Sequence, residues 1–149
     1  HWHPSISLLL SFRSYQKWHS KPGPINALLC FIAKWRFRLW SVICGADIGL
    51  GASIGGGLLL PHPNGVVIHS DAIIGNNCMI MQQVTIGQLA AAGAPKIGNA
   101  VYIGAGAKVL GAICIGDQAA IGANSVVLID VPSSCTAVGV PARLVLAKK

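Results

Sequence analysis

Acidic side chains are nearly missing from this sequence: 149 residues contain four Asp and no Glu. Eleven Lys and Arg give a net charge of +7, and six of them (Arg13, Lys17, Lys21, Lys34, Arg36, Arg38) precede residue 40, where no acid occurs. Such an excess suits an anionic partner, whether nucleic acid, an acidic membrane face or a phosphorylated cofactor. No recognition motif accompanies the charge, so a nucleic-acid partner is not expected. Long hydrophobic runs are lacking too. The longest candidate, 25–33, stops at Lys34, whereas a membrane span needs about 20 residues. Nothing reads as a secretory leader with its cleavage site. The five cysteines are odd in number, and no two have C-x-x-C spacing, which argues against a zinc knuckle or a redox dithiol. A reduced, cytoplasmic chain is expected, with Cys78 and Cys114 filling apolar positions of the repeat described next.

What the sequence does have is a strict period of six. From residue 48 an aliphatic residue returns as Ile48, Ile54, Leu60, then Ile68, Ile74, Ile80, Ile86, then Ile97, Ile103, Val109, Ile115, Ile121, Val127. Gly follows many of them, and a small residue often stands two positions before: Ala46, Ala52, Ala72, Cys78, Ala107, Ala119, Ser125. Neither a 3.6-residue helix nor simple alternation produces a six. Each hexad reads as one short strand and one turn, and three hexads close a triangular coil whose aliphatic residues stack inward about 4.8 Å apart. The predicted fold is mainly β, a left-handed parallel β-helix of a little over four coils, stable only when its repeats are stacked. The register breaks twice. Two extra residues fall near 61–65, and about five within 88–96 leave the prism as a loop. Interruptions of so regular a stack are where function tends to be housed.

Three segments follow: an N-terminal helical or capping segment over 1–45, the β-helix over 46–132 with its extruded loop 88–96, and a closing segment over 133–149. Pro22-Gly23-Pro24 breaks the first segment, and 25–41 reads as a short helix rich in aromatic and basic residues. This helix suits either a cap or oligomer contact, or a peripheral anchor on the inner membrane face.

The stretch from Asp47-Ile48 through Ile54-Gly55-Gly56-Gly57 to Leu60-Pro61-His62-Pro63-Asn64-Gly65 resembles the serine acetyltransferase family. So do Gln83-Val84-Thr85-Ile86-Gly87, Gly104-Ala105-Gly106-Ala107-Lys108 and Val138-Gly139-Val140-Pro141-Ala142-Arg143. The resemblance implies a homotrimer with acetyl-CoA, the cosubstrate, lying between neighbouring prisms. It implies His62 as general base and Asp47 as the carboxylate that orients it. An imidazole near neutral pKa takes the proton of a hydroxyl attacking the thioester, and a carboxylate fixes its tautomer. Asp47 lies three residues short of one full coil before His62, so an approach along one edge is expected. Ala105, Gly106, Ala123 and the segment ending at Arg143 match the CoA-binding positions, with Lys108 and Arg143 as candidate phosphate partners. His69 stands at a corner where the repeat otherwise has Gly, and reads as structural or exposed. With only His62 and His69 inside the repeat, no metal is expected.

The sequence also departs from the family. Members typically carry a longer N-terminal domain, an Asp before the catalytic His where Pro61 stands here, and an Arg-His-Pro in the extruded loop. Here that loop reads Gly93-Ala94-Pro95-Lys96, and the C-terminal tail is short. Pro61, Ala94 and Lys96 thus mark a substrate side without the groups that grip an amino acid. A sugar hydroxyl of a surface polysaccharide becomes the expected acceptor, and L-serine the alternative.

Overall fold

The structure is a computed structural model that describes residues 3–89 and 93–145. It divides into two compact units between Ala46 and Asp47.

The first unit holds two helices, α1 (Pro4–His19) and α2 (Pro24–Cys44). The sequence reading anticipated only the second. α1 begins with Pro at its first turn, where a missing N–H costs nothing, and it buries Leu8, Ser11 and Phe12 on one face. Phe12 meets Phe37 of α2 with ring centroids 5.8 Å apart, and Ala33 is buried on the same α2 face. Gly45, at φ +62, ends α2 by donating its N–H to Ser41 and Val42 carbonyls, the left-handed stop that glycine makes easily. No described helix is long and apolar enough to cross a membrane.

The second unit is the expected parallel β-helix, a solenoid of about four turns. Its first face stacks Asp47–Ile48, Val67–Ile68, Thr85–Gly87, Lys108–Leu110 and Val126–Val127. Its second face stacks Ser53–Ile54, Ile73–Ile74, Lys96–Ile97 and Cys114–Ile115. The third comprises Met79–Ile80, Tyr102–Ile103, Ala120–Ile121 and a closing antiparallel hairpin, Thr136–Gly139 with Ala142–Val145. Every aliphatic residue of the six-residue series is buried, and registers such as Ile48↔Ile68↔Ile86↔Val109↔Val127 stack them in columns. The residues two positions earlier form a second buried column. That column includes Leu58, Val66, Val84, Pro95, Val101 and Ile113, larger than the small residues expected there.

The expectation for one of the cysteines fails. Cys114 is exposed, not a core residue: it immediately precedes inward Ile115, and side chains alternate along a strand. Cys78, two before Ile80, is buried as expected. Burial pushes its thiol above the usual range.

The corners are as regular as the strands. Between the second and third faces, Gly57, Asn77, Ala100, Gln118 and Ser134 all have φ between +54° and +71°. Between the third and first, Gly65, Gln83, Gly106 and Asn124 lie between +55° and +73°. Only Gly occupies this left-handed region without a penalty.

Candidate active site

The edge between the third and first faces carries most of the predicted site. In each coil three residues turn this corner: Met81-Gln82-Gln83, Gly104-Ala105-Gly106 and Gly122-Ala123-Asn124. In the coil before them the corner runs Pro61-His62-Pro63-Asn64-Gly65, two residues longer. Backbone hydrogen bonds fix the alignment. Gln83 N–H donates to Asn64 O at 2.9 Å, Gly106 N–H to Gln82 O at 2.9 Å, and Asn124 N–H to Ala105 O at 2.8 Å. Asn64, Gln82, Ala105 and Ala123 therefore form one column, and the insertion that contains His62 bulges at its foot. His62 is exposed. The Lys108 ammonium donates to Gln83 O at 2.7 Å, which holds that cation on the same edge.

Asp47 stands differently from expectation. The two inserted residues lengthen the coil to 20 residues, so Asp47 pairs in register with Val67, five residues past His62. Its N–H donates to Val66 O at 2.8 Å, and its side chain is exposed on the first face. Among the described residues no hydrogen bond or ion pair joins it to His62. The carboxylate thus sits one coil away from the turn of the imidazole, beside the edge and not on it.

The other predicted residues lie elsewhere. The loop leaves the prism between Gly87 and Lys96, at the edge between the first and second faces; its residues 90–92 are outside the described set. Ala94 is half-buried at the foot of this loop and Pro95 is buried in the core column. Lys96 points outward on the second face, in register with Ile73 and Cys114. Pro61 is exposed. Arg143 sits in the closing hairpin opposite Val138, with one guanidinium N–H on Ala142 O at 3.0 Å. His69 Nδ1 accepts the Asp71 N–H at 3.2 Å and lies 3.9 Å from the Asp71 carboxylate, as a structural corner residue would. One prism thus gathers His62, Ala105, Gly106, Lys108 and Ala123 on one edge, and leaves Ala94 and Lys96 on the next.

Sequence reasoning passed over Gln82. It occupies the column of Ala105 and Ala123, and its side-chain oxygen is buried with no hydrogen-bond partner. A contrast with the edge between second and third faces makes this visible. There the equivalent column is Gly56, Asn76, Asn99 and Asp117, and the first three N–H groups are each capped by the side chain one coil on. Gly56 N–H donates to Asn76 Oδ1 at 2.8 Å, Asn76 to Asn99 Oδ1 at 2.9 Å, and Asn99 to Asp117 Oδ1 at 2.6 Å.

Comparison with known proteins agrees with the fold. Residues 94–128 match the family model "Bacterial transferase hexapeptide (six repeats)". A serine acetyltransferase of Helicobacter pylori is 42% identical over 146 residues, covering 96% of this chain and 82% of its own length. That of Escherichia coli is 49% identical over 108 residues, covering 70% and 40%. Among solved structures, a soybean serine acetyltransferase complexed with serine superposes with a TM-score of 0.82 at 40% identity, over 96% of this chain and 58% of that one. The chain therefore spans most of the Helicobacter protein but little more than half of the soybean structure. On that match across nearly its whole length, the chain belongs to the serine acetyltransferase family of hexapeptide-repeat acyltransferases.

Proposed function

We propose that this chain transfers the acetyl group of acetyl-CoA to the hydroxyl of L-serine. The observation that carries this reading is the 42% identity to the Helicobacter serine acetyltransferase over 96% of the chain. That protein is matched over 82% of its own length, so the short N-terminal segment no longer favours a different acceptor. The sugar acceptor inferred from Pro61, Ala94 and Lys96 finds no support among the relatives, and the alternative takes its place. A serine acetyltransferase solved with CoA, 38% identical over 97% of this chain with a TM-score of 0.80, supports the donor.

In this mechanism the serine hydroxyl gives its proton to His62 as its oxygen attacks the thioester carbon. The tetrahedral intermediate collapses with cleavage of the C–S bond, and the imidazolium returns the proton to the departing thiolate. O-acetylserine and free CoA result, with no covalent enzyme intermediate. Asp47, on the coil next to the His62 turn, steadies the imidazolium electrostatically. CoA lies along the column Ala105–Ala123, where small side chains leave the edge open, and Lys108 and Arg143 face its phosphates.

The separation of His62 from the loop residues by one prism face supports a site completed by a neighbouring copy. The exposed apolar stripe of α2, including Leu28, Trp35, Leu39 and Val42, likewise supports a homo-oligomer. An acceptor panel tests the substrate: mass spectrometry should find O-acetylserine with L-serine and no acetylated product with a set of monosaccharides. Acetylated sugar in the absence of O-acetylserine would reverse the choice.

A further inference from the structure

Gln82 presents a hydrogen-bond acceptor without a donor, at the edge where the proposed chemistry occurs. Its backbone is pinned on both sides: the neighbouring Gln83 N–H bonds to Asn64 O below, and Gln82 O accepts from Gly106 N–H above. The residue is half-buried as a whole, yet its side-chain oxygen is shut off from solvent and unpaired. Within the described part of the β-helix it is the only buried side-chain oxygen or nitrogen in that condition, since the other such atom, Ser41 Oγ, lies in α2. A buried acceptor without a partner costs about 1–3 kcal/mol, and such exceptions call for an explanation.

The second–third edge shows that this fold pairs such groups readily. Asn76, Asn99 and Asp117, at the equivalent corner position, are linked into a continuous ladder. In that ladder each side-chain oxygen accepts from the backbone N–H one coil before; on the His62 edge the counterpart donor, Asn64 N–H, stands in the inserted turn and makes no such bond with Gln82. The Gln82 oxygen is covered in the free chain, but no internal hydrogen bond holds it there, so the amide can turn outward to a ligand without breaking one.

We propose that the Gln82 side-chain oxygen accepts a hydrogen bond from the ammonium group of the amino-acid acceptor, and so selects and orients that substrate before His62. The inference rests on the serine reading given above. Geometry agrees with it. Gln82 stacks on Asn64, two residues past His62, and successive coils are about 4.8 Å apart. In serine the ammonium and the hydroxyl sit on adjacent carbons. With a hydrogen bond of about 2.8 Å at each end, one molecule bridges groups on neighbouring coils. A neutral amide oxygen would thus serve the ammonium in a turn where Pro61, next to His62, offers no carboxylate.

The experiment is steady-state thiol release by the full chain, varying L-serine and acetyl-CoA separately, for wild type, Gln82→Leu and Gln82→Glu. Gln82→Leu should raise the KM for serine about tenfold, the scale of one lost hydrogen bond to a charged group, and leave the KM for acetyl-CoA within about twofold. Gln82→Glu keeps an acceptor for the ammonium and should hold the serine KM within about threefold of wild type. Because Leu removes an unpaired buried acceptor, its melting temperature should equal or exceed that of wild type. If Gln82→Leu does not fold, Gln82→Met, also without an acceptor oxygen, carries the same comparison. An unchanged serine KM in the apolar variant, an equal rise in the KM for acetyl-CoA, or a Glu variant as impaired as Leu would each overturn the proposal while the serine reading stands. A wild-type chain that releases no thiol in response to serine would sink the serine reading and this proposal with it.

Discussion

Two edges of the same prism are built on the same backbone and used differently. Each turns its corner with a left-handed residue in coil after coil, and each offers a column of side chains at the preceding position. On the second–third edge the column is Asn76, Asn99 and Asp117, whose side chains cap the backbone of the coil before. On the third–first edge the column is Asn64, Gln82, Ala105 and Ala123, with an inserted turn at His62 and an unpaired amide oxygen at Gln82. The first edge satisfies its polar groups internally and stabilises the stack. The second leaves one side-chain acceptor, Gln82 Oε1, without an internal partner. Polar residues in a repeat are therefore better read by whether the fold satisfies them than by their presence.

The contrast is sharpest for catalysis. Asp47→Asn, on the His62 side, should lower kcat/KM for serine roughly a hundredfold, about 2.7 kcal/mol of transition-state stabilisation. Its exposed position should leave the melting temperature within about 1 °C, as surface substitutions usually do. Equal losses of stability and activity would erase the distinction between the edges. Asn99→Ala should do the reverse. It removes the acceptor for the Asn76 N–H and the Asn76 amide, at a cost of about 2 kcal/mol, or roughly 4–8 °C in a chain of this size. Turnover well below that temperature should not change.

Smaller effects test the corners and the column. Ala100, at φ +54, carries a Cβ in a region that favours glycine. Ala100→Gly should therefore stabilise the fold by about 0.5–1 kcal/mol, read as a raised denaturant midpoint. Thiol labelling at pH 8 should modify exposed Cys114 first. Cys78 and Cys44 should follow slowly, because burial pushes both thiols up and leaves less of the nucleophilic thiolate at that pH. Early labelling of Cys78 would mean that the core column opens.

Much of this was legible in the sequence because one signal is local and strict. An inward aliphatic residue every six positions defines faces, coils and both interruptions. The edges were not legible in the same way. Partners in the Asn76–Asn99–Asp117 ladder are 23 and 18 residues apart, because the extruded loop falls between the first two, so a scan for six sees no polar period. Gln82 was hidden for the same reason: its significance lies in what does not pair with it, which only stacked coils reveal. The candidate residue His62 stood out because its turn breaks the register. A count of 18 residues per coil misses the register partner of Asp47, because those same two residues move it to Val67. α1 was missed because its buried face is narrow, Leu8, Ser11 and Phe12, and includes a serine that bonds back to Ser7 O at 2.8 Å.

The most direct test of the account is the release of free thiol from acetyl-CoA, with and without L-serine, by wild type and by His62→Ala. The account predicts release that depends on serine and falls about 10²- to 10⁴-fold when the imidazole is removed. Release that ignores serine, or that survives the loss of His62, would contradict it.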